Sequence, residues 1–123
     1  MSQHTKEKLW SEYKYEVMWH SQKHYNQIRA EMKAQLAEDD LESLIDEALA
    51  IEPQKGSVLN TFDHMWGYFK KEATDTEKEQ HQILKENFQS DKATQSDLLQ
   101  FICTLAEKYQ SKYLLNSSIL KKA

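Results

Sequence analysis

Apolar residues recur along much of the chain at three- and four-residue intervals, the spacing of one face of an α-helix. The plainest run is Leu98, Phe101, Ile102, Leu105, Tyr109 and Tyr113, which predicts a helix over 95–113. Leu41, Leu44, Ile45, Ala48 and Leu49 predict another over 41–51, with Asp39 and Glu42 spaced as a capping box at its start. Val58, Phe62, Met65, Trp66 and Phe69 form one side of a helix expected from Ser57, as its cap, to Lys71. Thr74 with Glu77 is a second capping box, opening a helix that runs to residue 90. With little besides Ile83, Leu84 and Phe88 to bury, that helix is expected on the outside of the bundle. Residues 114–120 extend the 95–113 helix or form a short sixth.

The N-terminal segment has a different pattern. No glycine or proline precedes Pro53, so residues 5–37 read as one long helix, straight or bent. Trp10, Tyr13, Val17, His24 and Ile28 make one stripe on it, while Tyr15 and Trp19 lie well away from that stripe. A helix with apolar residues on more than one side is buried centrally or shared with a partner. Either it is the central helix of the bundle, or one aromatic face makes a homodimer contact or stacks on a ligand.

Composition agrees with helices. Two glycines, one proline and two valines leave little for turns and sheet, and Glu, Lys, Gln, Leu and Ala dominate. The expected fold is therefore all-α, a single-domain bundle of five or six helices over residues 1–123, with the first and fifth at its centre. Apolar residues at 39% with charged residues at 29% predict a folded chain. Residues 1–10 are polar and resemble no secretory signal, and no apolar run nears the roughly 18 residues of a membrane span, so a cytoplasmic location is expected. The one cysteine, Cys103, fits a reducing compartment. A net charge of −4 speaks against a strong non-specific grip on nucleic acid, while leaving room for a local basic patch.

The most informative stretch is residues 57–71. Asn60, His64, Gly67 and Lys71 stand at i, i+4, i+7 and i+11, a polar stripe opposite the apolar side. Glycine inside a helix costs about 1 kcal/mol relative to alanine, so Gly67 suggests the close approach of another helix or of a ligand. Asn donates and accepts, His does both, and Lys suits phosphate. Other chemistry is weaker. His20 and His24 have the spacing of two metal ligands, but residues 21–23 do not complete a metalloprotease pattern. Asp63 and His64 are neighbours on a helix and point about 100° apart, so they form no dyad. No phosphate-cradling Gly-rich loop exists. No catalytic residue, cofactor or metal site is assigned.

Three segments together resemble a known family. Tyr13-Lys14-Tyr15-Glu16-Val17-Met18 with Ser21 and Tyr25, then Asn60 through His64 to Gly67-Tyr68-Phe69-Lys70-Lys71, then Lys108-Tyr109-Gln110 with Tyr113-Leu114-Leu115, are similar to the bacterial YbgA-like family. That family occurs alone or fused behind a domain that removes sulfur from thiouracil or thiouridine. The resemblance implies an accessory role in processing sulfur-modified RNA, with tRNA recognition, and a desulfurase-type partner enzyme. The desulfurase's iron–sulfur site needs several cysteines, and this chain has one. Its fourth helix and lysine-rich C-terminus depart from longer relatives. On a helix, Lys14, Ser21 and Tyr25 fall within a sector of about 40°. If that face meets the Asn60–Lys71 stripe around one cleft, the ligand-binding residues carried over are Lys14, Ser21, Tyr25, Asn60, His64, Gly67, Tyr68 and Lys71.

Three functions follow, in order of preference. The first is a binding module for RNA or a nucleotide-like ligand. The second is a protein–protein module joining a partner enzyme or a second copy of itself. The third is a small enzyme with His64 as acid or base. None involves a membrane.

Overall fold

The structure is a computed structural model that describes residues 3–122. The 1–123 domain reading includes Met1, Ser2 and Ala123, which lie outside the described residues. Eight helices are described: α1 (Gln3–His20), α2 (Gln22–Lys33), α3 (Glu38–Leu49), α4 (Lys55–Trp66), α5 (Asp75–Gln89), α6 (Gln95–Lys108), α7 (Lys112–Leu115) and α8 (Ser118–Lys121). There is no strand among the described residues. The all-α expectation holds, and the helix count exceeds it because two expected helices are broken.

The first break is at Ser21. Its backbone is extended (φ −157°, ψ 107°), and its hydroxyl accepts from the His24 N–H at 3.2 Å, capping α2. Serine competes with the helix for backbone partners and favours this position. The expected long helix is therefore two helices, and α2 folds back so that Tyr25 packs on Trp10, with ring centroids 5.7 Å apart.

The second break follows α6. Gln110 adopts a left-handed conformation (φ 55°), and Ser111 N–H reaches back to the Ala106 carbonyl at 2.9 Å. That ends the helix at Lys108, short of the expected Tyr113, which moves onto α7. Gln35 (φ 59°) and Asp91 (φ 62°) end α2 and α5 in the same conformation. Two expected caps are also corrected. α3 begins at Glu38 after Ala37, without the Asp39 box, and α4 begins at Lys55, so Ser57 lies inside it. The Thr74–Glu77 box is present, and Thr94 forms another with Asp97.

α1 is central and touches α2, α3, α4 and α8. One hydrophobic cluster joins its Val17 to Ile28 of α2 and Leu41, Ile45 and Ala48 of α3. The larger cluster takes Tyr15, Met18 and Trp19 of α1 with residues of α4, α6 and the C-terminal helices. Tyr15 and Trp19 are 6% and 2% exposed, so the aromatic face that motivated a homodimer is covered within the chain. The second central helix is α4 rather than α6, since α4 is the main partner of α1.

α5 is the outer helix, with Ile83 46% exposed. Polar contacts hold it as firmly as apolar ones. His81 stacks on Trp66 at 4.5 Å and Phe62 at 5.1 Å, and its Nε2 is 3.0 Å from Asp63, which also accepts from Lys85 at 2.9 Å. At the N-terminus of α5, Glu77 accepts from Lys108 at 2.7 Å and from the Tyr109 hydroxyl at 2.6 Å. These bonds, with that from the Thr74 N–H, pull the Glu77 pKa down to about 2. No helix among the described residues is long and apolar enough to cross a membrane.

Candidate functional site

α1 and α4 run side by side in opposite senses. At one end the Tyr15 hydroxyl meets that of Tyr68 at 2.8 Å; at the other the Asn60 amide donates to Gln22 at 2.5 Å. The two predicted half-motifs are therefore tied together at these two points, and Asn60, His64 and Gly67 are exposed at successive turns of α4.

The Tyr68 end has the most distinctive chemistry. Tyr68 and Tyr113 stack with centroids 5.9 Å apart and 30° between planes, and both are partly open to solvent, at 44% and 38%. Tyr15 lies beneath, edge-on to Tyr68 at 6.2 Å and to Tyr113 at 6.5 Å. The Lys14 ammonium sits 5.2 Å from the Tyr15 centroid and 5.3 Å from that of Tyr113, within cation–π range. Partial burial opposes the lysine's charge, but the phenols of Tyr113, Tyr68 and Tyr25 outweigh it and hold its pKa above the usual value. Burial, reinforced by the bond to Tyr68, pushes the Tyr15 phenol well above its ordinary pKa, so it stays protonated.

The eight predicted site residues thus divide. Lys14 and Tyr68 stand in one cluster, close enough to Tyr25 for its phenol to act on the Lys14 charge. Asn60 bonds Gln22, while His64 and Gly67 are exposed on the same stripe of α4. Ser21 is buried and its hydroxyl is engaged with His24, at 2.8 Å from Nδ1. Lys71 is exposed but lies beyond α4, so the predicted polar stripe ends at Gly67. Short-range bonds such as Phe69 N–H to the Trp66 carbonyl at 2.9 Å turn the chain there. A helix crossing at Gly67 is absent: a Cβ on it would meet only His64 and Asp63 carbonyls of its own preceding turn, at 3.2 and 3.7 Å.

Tyr15 and Tyr113 were not among the predicted site residues. Tyr15 read as a spare aromatic face and Tyr113 as core. Asp63 does have a histidine partner, but it is His81, eighteen residues away rather than adjacent. Burial lowers the His81 pKa more than Asp63 raises it, and with its ring between two aromatics it reads as a structural lock. The His20/His24 metal spacing is undone by the break at Ser21. His20 Nδ1 lies 2.8 Å from the Ile51 carbonyl, while His24 faces Ser21. No group of three or more metal-ligating side chains gathers among the described residues. A hollow of about 470 Å³ between α2 and α3 is rimmed by Glu31, Asp40 and Glu47, and no predicted site residue lines it.

No curated protein and no solved structure matches the chain. A family model described as a protein of unknown function, DUF1722, matches residues 14–122, from Lys14 of the aromatic cluster almost to the C-terminus. The chain belongs to the DUF1722 family.

Proposed function

We propose that this protein is an accessory module that binds RNA, with tRNA the natural target, through the seam between α1 and α4. The observation that carries the reading is the half-exposed Tyr68–Tyr113 stack beside the Lys14 ammonium. An open tyrosine face accepts an unpaired base, and such stacking contributes roughly 1–3 kcal/mol per base. Asn60 and His64 offer hydrogen-bonding edges further along the seam, and Gly67 leaves the backbone accessible. Lys70, Lys71 and Lys112 follow or precede the two tyrosines in sequence and add positive charge to an otherwise acidic chain. The resemblance to the YbgA-like family gives this binding a context in thiouridine or thiouracil desulfuration, in the cytoplasm. The module would present RNA to a partner enzyme that carries the sulfur chemistry.

Gel shifts with tRNA at several salt concentrations test the proposal. Binding should weaken as salt rises, because phosphate contacts release counterions. Tyr68→Ala and Tyr113→Ala should each weaken it about tenfold or more, as expected for loss of one stacked base. No complex at low salt, or wild-type affinity in both variants, refutes the reading.

A further inference from the structure

Lys14 is drawn in from solvent yet faces no carboxylate among the described residues. Lys85, similarly withdrawn, has Asp63 at 2.9 Å, and Lys55, Lys108 and Lys122 each hold a carboxylate at 2.7–2.9 Å. The neighbours of Lys14 are instead two ring faces and the phenols of Tyr68, Tyr113 and Tyr25. The groups that offset its burial are rings and phenols, not carboxylates, so an incoming anion would be the first counter-ion the ammonium meets there.

The hydroxyls beside it favour an anion as well. Tyr15 and Tyr68 share one hydrogen bond, which uses one of their two protons. Either oxygen can donate in that bond; when buried Tyr15 donates to Tyr68, the exposed Tyr68 O–H is free to donate outward. Tyr113 donates to the Ser11 carbonyl at 3.3 Å, a long bond that is easily exchanged. An ammonium and two hydroxyls stand in one aromatic cluster with no carboxylate beside them among the described residues. Three donors suit the several oxygens of a phosphate.

The geometry points to Lys14, Tyr68 and Tyr113 as a phosphate subsite, with the base of the same nucleotide on the open side of the tyrosine stack. This rests on the RNA-binding reading above and deepens it: the nucleotide is held by a stacked base and its phosphate together. The phosphate is either a free 5′-phosphate or one in an RNA backbone.

The test compares each of the four ribonucleosides with its 5′-monophosphate by titration at low ionic strength, and measures tRNA affinity against salt. Wild type, Lys14→Gln and Lys14→Arg are used, each checked for folding by circular dichroism. The monophosphates should bind about tenfold tighter than the nucleosides, the preference should vanish in Lys14→Gln, and Lys14→Arg should retain it. For tRNA, Lys14→Gln should reduce the slope of log affinity against log salt by about one. A changed slope without a mononucleotide preference assigns a backbone phosphate; a lost preference assigns a free one. If Lys14→Gln alters neither while tRNA still binds, the subsite is overturned and the RNA-binding reading stands. If neither tRNA nor any mononucleotide binds wild type, both fall. Should Lys14→Gln not fold, equal wild-type affinity for nucleosides and monophosphates, with an unchanged tRNA salt slope in protein carrying acetyl-lysine at position 14, overturns the subsite.

Discussion

Gly67→Ala separates a ligand-driven glycine from an accidental one. Gly67 has ordinary helical angles (φ −54°, ψ −24°), so alanine fits its backbone without strain. Restricting the unfolded chain then stabilises by about 0.4–1 kcal/mol. Against this stands the new methyl's 3.2 Å approach to the His64 backbone carbonyl, which must give by a few tenths of an ångström. Among the described residues no other element comes within 4 Å of the new methyl, so the overpacking cost of a filled crossing, roughly 1–3 kcal/mol, does not arise. The net expectation is a change between zero and about +1 kcal/mol, or a melting temperature up to about 4 °C higher for a chain of this size. Thermal melts measure that, and tRNA titrations on the same preparations measure binding. If a ligand passes over Gly67, the stable variant should bind at least about tenfold more weakly. A melting temperature lowered by more than about 5 °C would refute the packing argument. Full stability with unchanged binding would remove Gly67 from the site.

Two further predictions concern stability. His81 has a pKa below 6.5 in the folded protein because of burial, so on acidification the unfolded chain takes up a proton that the folded one does not. Stability is therefore present above pH 6.5 and declines as the pH falls below it. Urea melts on either side of that value should show the decline in wild type and a shallower one in His81→Gln. Gln110→Gly should raise stability by roughly 0.5–1 kcal/mol, because glycine removes the left-handed strain at φ 55° and gives back part of the gain as unfolded-state freedom. An unchanged or lowered denaturation midpoint would contradict this.

The helical class and most of the buried positions follow from local periodicity, which is why they are legible in the sequence. Thr74 and Glu77 announce their box because both partners lie within one turn. The helix ends are harder to see. Glycine is the usual mark of a left-handed stop, but here Gln35, Asp91 and Gln110 take that conformation, and neither glycine does. Missing the stop at Gln110 keeps Tyr113 on the wrong helix, and so hides the aromatic cluster. Tyr15, Tyr68 and Tyr113 come from three separate parts of the chain, and no periodicity within one helix links them. The same holds for Asp63 and His81. Lys14, Tyr68, Asn60, His64 and Gly67 are legible as site candidates by resemblance and face pattern, but the meeting of Tyr15 with Tyr68 appears only once α1 lies against α4.

The central position of α1 has a mechanical consequence. Val17 and Met18 are consecutive, yet they belong to different hydrophobic clusters. Successive residues on a helix point about 100° apart, so turning α1 to improve one cluster must prise open the other. The helix is thus pinned in rotation from both sides, as a shaft keyed into two hubs. Lys14 and Tyr15, one turn away, inherit that fixed azimuth. The α1 side of the aromatic cluster, Lys14 and Tyr15, is thereby held in place by two cores at once.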